Sequence, residues 1–216
     1  MAKVKKELFT CADCATQACR AKDEGHYPAF CLTAGLPQEK IDRVNRKITS
    51  SRKLRKIALA SAEVEGTTYG KLCRVEETIA FFEKIGGKKI GIASCMGLIS
   101  EARLFTDILD RKGIPYYTVC CKIGAVDKGE IGIPDEHKLN RGCGHESMCN
   151  PIMQAELLNE QGTDFNIIIG LCVGHDMLFT MHSKSPVTTL VVKDRVLAHN
   201  PVSALYTSKG IYSRFK

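Results

Sequence analysis

Short apolar segments alternate with amphipathic segments of helical period in the second half of the chain, and this alternation limits the fold more than any other feature. Four segments are rich in apolar, β-branched and aromatic residues and are predicted strands: residues 89–94, 115–121, 165–171 and 188–193. Helices are predicted between them, over residues 98–109, 150–162 and 175–182. Nearly continuous apolar strands joined by helices are typical of a parallel sheet that is covered on both faces. We therefore predict an α/β fold of three layers with a mainly parallel sheet of about four strands.

A different kind of sequence precedes this part of the chain. Residues 1–35 hold four cysteines and no periodic pattern, so we expect a cysteine-rich module that a metal organises. From residue 36 onward, apolar residues recur at three- and four-residue steps until Gly86 and Gly87, which predicts helices. We therefore predict two domains, a metal-binding module over residues 1–35 and an α/β domain over residues 36–216.

Eleven cysteines in 216 residues require an explanation. The basic start of the chain lacks the apolar stretch of a secretory signal, and no apolar run approaches the roughly 20 residues of a membrane-spanning helix. We therefore expect a cytoplasmic protein with no membrane partner. Because a reducing cytosol disfavours disulfides and an odd number of cysteines cannot pair completely, metal ligation is the leading interpretation.

The N-terminal cysteines form the strongest motif in the sequence. Cys11, Cys14, Cys19 and Cys31 follow the spacing Cys-x2-Cys-x4-Cys-x11-Cys. Two cysteines separated by two residues can present both sulfurs to one metal, and the later pair can close a tetrahedral cage. This ligand set fits zinc or a 4Fe-4S cluster, with a slight preference for the cluster. His26 is an alternative ligand to one of the cysteines.

A second group of cysteines is scattered in the sequence but converges in the predicted fold. Parallel strands deliver their carboxyl ends to one edge of the sheet, to which the glycine-rich loop of residues 122–149 must also return. The predicted cofactor ligands at this edge are Cys95, Cys121, Cys143, Cys149 and Cys172. Cys121 is preferred to Cys120 because neighbouring strand residues point to opposite faces. Predicted helix starts after three of these cysteines favour the thiolate form.

Two of the strand ends share the pattern Ile-x-x-Cys-x-Gly, at residues 92–97 and 169–174. The pattern places Cys95 and Cys172 at equivalent positions and makes them candidate catalytic residues. His145 and His175 lie close to cysteines in the sequence and are candidate acids or bases. The alternative is that these two histidines cap helices or orient ligands.

The net charge of +7 raises the question of a nucleic-acid partner. The basic residues concentrate in one segment: Arg43, Arg46, Lys47, Arg52, Lys53, Arg55 and Lys56. We interpret this segment as a solvated helix face, since it lacks the aromatic residues that stack on bases, and we expect no nucleic-acid partner. A zinc-stabilised nucleic-acid-binding or regulatory module remains an alternative function.

Nearly the whole chain also resembles a known family. The resemblance is carried by the N-terminal cysteine module, by residues 143–151 and 170–176, and by residues 191–195 and 199–201. On these motifs the chain is similar to the uncharacterised metal-binding protein family called domain of unknown function 1847. The resemblance implies metal binding and specifies no reaction.

Together these observations favour a metalloprotein with zinc or iron–sulfur (4Fe-4S) cofactors that performs or relays redox chemistry. Its expected partner is a redox protein or a small-molecule substrate. The N-terminal site would be structural or an entry point for electrons, and the strand-end crevice would be the reactive centre. The remaining alternative is a metal-free enzyme that transfers sulfur or reduces a disulfide through Cys95 or Cys172, with His145 or His175 as base.

Overall fold

The computed structural model describes residues 8–215, which form two compact units with a boundary between Ala62 and Glu63. The first unit contains three short 3-10 turns, Cys11–Asp13, Ala18–Arg20 and Glu24–His26. Helix α1 (Gln38–Ser50) and most of helix α2 (Arg52–Thr68) follow. A separate module over residues 1–35 stays a prediction, and its first seven residues lie outside the described ones.

The second unit is an α/β domain that begins near the end of α2. Its strands are β1 (Ile90–Ser94), β2 (Tyr116–Cys120), β3 (Phe165–Ile169) and β4 (Val187–Val191). Its remaining helices are α3 (Arg74–Lys84), α4 (Ile99–Arg111), α5 (Pro151–Glu160), α6 (His175–His182) and α7 (Val202–Tyr206). Over residues 8–215 the chain thus forms four strands and seven α-helices, which confirms the predicted α/β fold.

All four strands are parallel and are arranged in the order β2-β1-β3-β4. The chain steps outward from β1 to β2 and then returns across β1 to β3 and β4. Because such crossovers are right-handed, α4 lies on one face of the sheet, and α5 and α6 lie together on the other. The strand order reverses beside β1, which is where open α/β sheets bind ligands.

Local signals set the ends of the helices. The side chain of Asn150 accepts a hydrogen bond from the backbone N–H of Met153 at 3.0 Å, and Pro151 occupies the first turn of α5. Helix α6 begins after Gly174, whose positive φ of 87° is a conformation that glycine adopts readily. The capping chemistry that can be recognised in the sequence therefore operates in the structure.

The core lies between the sheet and its two helical layers. Strands β1 and β3 are buried along their whole length. They pack against apolar side chains of both layers: Ala102, Phe105 and Leu109 of α4, and Ala155 and Leu158 of α5. Full burial of each large aliphatic side chain contributes about 2 kcal/mol. Among residues 8–215, no helix is both long and apolar enough to cross a membrane.

Candidate functional site

A crevice of about 680 Å³ opens at the carboxyl edge of the sheet. The ends of β1 and β3, the residue after β2, the loop of residues 122–149 and the segment after β4 all contribute to it. It is lined by Cys95, Met96, Gly97, Cys121, Lys122, Lys128, Ile131, Ile133, His137, Leu139, Met148, Cys149, Cys172, His175, Lys193 and Arg195. The crevice therefore lies where the strand order predicts a ligand site.

The structure brings four of the five predicted crevice cysteines together. These four are Cys95, Cys121, Cys149 and Cys172. The fifth, Cys143, is exposed and lies outside the lining, where its thiol donates a hydrogen bond to the carbonyl oxygen of His145 at 3.2 Å. Of the adjacent pair Cys120 and Cys121, only Cys121 lines the crevice.

Three of the crevice thiols interact, and Cys121 is common to both interacting pairs. The Cys121 side chain is 2% exposed. Its interactions with Cys149 and Cys95, together with burial, raise the pKa of the Cys121 thiol. The interaction with Cys121 lowers the pKa of Cys95 and that of Cys149, so each of these two thiols favours the thiolate. The backbone N–H of Met96 also donates to the Cys121 sulfur, at 3.2 Å.

Two cations from the segment after β4 contact the sulfurs directly. The Lys193 ammonium donates to the Cys95 sulfur at 3.3 Å, and the Arg195 guanidinium donates to the Cys172 sulfur at 3.0 Å. The contact with Cys172 raises the pKa of Arg195. Sequence reasoning assigned neither cation to the site, although Lys193 ends a predicted strand whose carboxyl end lies at this edge and Arg195 follows it. That strand placement was the signal that could have found them.

A tight turn after β4 holds Arg195 in this position. The Asp194 carboxylate accepts hydrogen bonds from the backbone N–H groups of Val196 and Leu197, at 2.9 and 2.8 Å. The backbone N–H of Asp194 donates to the Nδ1 atom of His199 at 3.1 Å. His199 thus closes the turn, and Arg195 is presented from an ordered segment.

The two candidate histidines lie in different places. His175 lines the crevice as the first residue of α6. His145 lies outside the lining; its Nε2 atom is 3.0 Å from the Ser147 hydroxyl, and its Nδ1 atom is 3.6 Å from an Asp127 carboxylate oxygen. Of the candidate catalytic residues, Cys95, Cys172 and His175 therefore share the crevice, and His145 does not.

A network centred on Asp127 shapes the loop that forms one wall of the crevice. The Asp127 carboxylate accepts hydrogen bonds from the backbone N–H groups of Glu146 and Gly129, at 2.6 and 2.7 Å, and from the Lys138 ammonium at 3.3 Å. The Glu146 carboxylate in turn pairs with Lys128. The bonds from Glu146, Gly129 and Lys138 lower the pKa of Asp127 to about 2.

We predict that Asp127→Asn loosens this wall. Because the folded-state pKa is below the ordinary value of 3.8, the stabilising charge is fully present above about pH 4 and is lost as the pH falls toward 2. At pH 7 the amide hydrogens of Gly129 and Glu146 should exchange about tenfold faster in the variant. After correction for intrinsic rates, this difference should shrink between pH 4 and pH 2. Asp107→Asn, an exposed change on α4, is the control, and equal exchange in all three proteins would contradict the prediction.

The four N-terminal cysteines line a cavity of their own in the first unit. Cys11, Cys14, Cys19 and Cys31 surround a space of about 200 Å³. A bond from the backbone N–H of Gln17 lowers the pKa of Cys14. His26 is outside this lining, with its ring 2.7 Å from Asp23. Across residues 8–215, no group of three or more His, Cys, Asp or Glu residues is placed so that it could hold a metal ion.

The basic segment lies on α1 and the first part of α2. All seven of its lysines and arginines are exposed. The side chains of Arg52, Arg55 and Lys56 line a shallow surface depression with Thr49, Ser50 and Leu59. This placement agrees with a solvated helix face, and a nucleic-acid role stays an untested alternative.

The fold and the crevice together define a class of α/β protein with a cluster of thiols at the carboxyl edge of a parallel sheet. The chain belongs to the family described as protein of unknown function DUF1847, whose model matches residues 31–190. It is 53% identical over 152 residues to an uncharacterised protein of Methanocaldococcus jannaschii, across 70% of this chain and 76% of that protein. The range matched by the family model contains all four crevice cysteines and begins after Cys19.

Proposed function

We propose that this protein is a thiolate metalloprotein, with a zinc ion or an iron–sulfur cluster held in the crevice and used in redox or electron-transfer chemistry. The observation that supports the proposal is the convergence of Cys95, Cys121 and Cys149 on one crevice, where Cys121 interacts with the other two thiols. Cys172 lines the same crevice and provides a fourth sulfur. A soft donor set of this kind suits zinc or iron–sulfur clusters and not the hard cations that prefer oxygen.

The surroundings of the sulfurs fit such a group. Metal ligands must be thiolates, and the lowered pKa values of Cys95 and Cys149 favour that form. A cluster would supply one-electron transfer, whereas zinc would supply a structural centre or a Lewis acid. The sulfurs would close on the metal as it binds, since binding of metal commonly completes such sites.

The N-terminal cysteines would hold a second centre. Their common cavity of about 200 Å³ brings together four sulfurs that the sequence spacing assigns to one metal. We propose a structural or electron-accepting role for this centre. Cys11→Ser should remove its metal and leave that of the crevice.

The crevice centre is tested by comparing two adjacent cysteines. Protein purified and reconstituted without oxygen should lose the metal content of one centre in Cys121→Ser and retain it in Cys120→Ser, because only Cys121 lines the crevice. Cys149→Ser, a half-buried position, provides a second variant if Cys121→Ser does not fold. Metal and acid-labile sulfide analysis, with visible absorbance, is the measurement.

The outcomes separate the metals and test the proposal itself. Broad visible absorbance with acid-labile sulfide would support an iron–sulfur cluster. A colourless protein with stoichiometric zinc would overturn the proposed redox or electron-transfer role. Equal metal content in wild type, Cys121→Ser and Cys149→Ser would overturn the crevice as a metal site.

A second function is favoured by the contact between Cys95 and Cys121, which is suited to metal-free reduction of a disulfide. The Cys95 thiolate would attack one sulfur of the substrate disulfide, forming a mixed disulfide and releasing the other sulfur as a thiolate. Cys121, after giving up its proton, would then attack the Cys95 sulfur and release the second thiolate. The substrate gains two electrons, and the enzyme is left with a Cys95–Cys121 disulfide. Stoichiometric alkylation of Cys95 without release of metal would favour this function over the first.

A further inference from the structure

We infer that the crevice binds an organic carboxylate with a hydrocarbon body, which would be the substrate or effector of its thiol or metal centre. The inference rests on the proposed function in taking the crevice as the reactive site. It depends on two features of the lining that metal ligation alone does not require: an excess of positive charge and an apolar wall.

Four cations line the crevice, and no aspartate or glutamate does: the cations are Lys122, Lys128, Lys193 and Arg195. Lys128 is neutralised by its pairing with Glu146, just outside the lining. Within residues 8–215, no carboxylate lies within 4.0 Å of the other three. Lys122 donates instead to the carbonyl oxygen of Ser147, and Lys193 and Arg195 donate to sulfurs.

The sulfurs do not balance these three cations. Zinc with four thiolates carries a net charge of about −2, as does an oxidised 4Fe-4S cluster with four thiolates. With either of these groups bound, at least one of the three positive charges remains. Because the crevice is partly enclosed by apolar walls, that charge attracts anions more strongly than it would on an open surface.

Part of the lining is apolar. The loop of residues 122–149 contributes Ile131, Ile133, Leu139 and Met148 to the lining. Ile131 is 61% exposed and Leu139 is 83% exposed, although the Asp127 network orders the loop that carries them. Exposed aliphatic side chains that collect at one crevice are typical of a surface that a hydrocarbon covers. Each methylene group that enters such a site contributes up to about 0.8 kcal/mol.

The cations of the crevice suit a carboxylate as the charged group of the ligand. Arg195 contacts Cys172 through one terminal nitrogen, so the rest of its planar guanidinium is left to donate to an anion. A guanidinium matches the two oxygens of a carboxylate, and Lys193 or Lys122 adds a point charge beside it. An anion held here lies next to the Cys95 and Cys172 sulfurs, with its hydrocarbon body toward the loop.

The probes for the test are hexanoate, hexanamide and acetate. Hexanamide has the same chain without the charge, and acetate has the charge without the chain. Isothermal titration of the wild-type protein should show hexanoate binding at least tenfold tighter than either of the other two. Arg195→Gln should weaken hexanoate at least tenfold, whereas Arg103→Gln, at an exposed position on α4, should not. The double variant Ile131→Ser, Leu139→Ser should weaken hexanoate and leave acetate unchanged.

The titrations are repeated on metal-free and metal-reconstituted protein, which separates this inference from the proposed function. Hexanoate binding without any metal binding would overturn the metalloprotein and support the carboxylate site. Metal binding with no preference for hexanoate over hexanamide would overturn the carboxylate site alone. An equal loss of hexanoate binding in Arg195→Gln and Arg103→Gln would also overturn it, because the effect would then be one of net charge.

Discussion

Gly170→Ala is expected to lower the free energy of unfolding by about 3 kcal/mol, from backbone strain and overpacking together. Gly170 follows β3 with a φ of +69°, a conformation that side chains on L-residues disfavour. A Cβ atom there would lie 2.6 Å from the Cδ2 atom of Leu98. Leu98 is completely buried, so its side chain has no free space into which to move. Urea unfolding followed by circular dichroism measures the loss.

Gly113→Ala is the matched control. Gly113 has nearly the same φ, +65°, but among residues 8–215 no atom beyond its two chain neighbours lies within 4 Å of the position that its Cβ would occupy. Its loss should be about 1 kcal/mol, the cost of the backbone conformation alone. Combining Gly170→Ala with Leu98→Ala should cost less than the sum of the single changes, since the smaller side chain removes the clash. Equal losses of unfolding free energy in Gly170→Ala and Gly113→Ala would contradict the prediction, because the Leu98 side chain would then move aside without cost.

Much of the fold could be predicted because its signals are local. The short helix predicted over residues 175–182 has those bounds in the structure, and Asn150, where the helix over residues 150–162 was predicted to begin, caps α5 with a hydrogen bond. Apolar strands, glycine stops and cap residues act within a few positions of one another, so they can be recognised without knowledge of the tertiary structure. The alternation of strands and helices predicted that the strands are parallel, and the structure confirms this prediction.

The candidate site could be predicted only where a residue is tied to a strand end. Cys95, Cys121 and Cys172 each follow a strand closely, and all three line the crevice. Residues of the long loop depend on side-chain contacts that no periodic pattern indicates. The Asp127 network fixes the path of that loop, and Cys143 then lies outside the crevice while Cys149 lies inside.

The positively charged residues of the site could not be predicted from the sequence, for a related reason. Lys193 and Arg195 occupy a segment whose sequence resembles any polar turn, and only the Asp194 turn aims Arg195 at Cys172. Strand alternation predicts which edge of the sheet such a segment reaches. It does not predict whether the side chain meets water or a sulfur.

Gln154→Met is expected to lower the free energy of unfolding by about 3 kcal/mol, because two buried carbonyl groups lose a hydrogen-bond donor. The Gln154 side chain is completely buried on α5. Its amide nitrogen donates to the carbonyl oxygens of Ser94 and Val119, at 3.1 and 2.7 Å. Methionine keeps the length and approximate volume of the side chain, so the change removes the amide group and creates almost no cavity.

The same two hydrogen bonds join the carboxyl ends of β1 and β2, just before the residues that line the crevice. Ser94 directly precedes Cys95, and Val119 lies two residues before Cys121, so Gln154 is a positioning residue for the contact between these thiols. Gln154→Met should therefore also change the rate at which Cys95 is alkylated in the folded protein. Gln161→Met, at a half-buried position whose side chain makes no hydrogen bond among the described residues, should alter neither the unfolding midpoint nor alkylation. If Gln154→Met lowers stability but leaves the alkylation rate of Cys95 unchanged, the thiols keep their positions without Gln154. Gln154 would then stabilise the sheet and would not be a positioning residue.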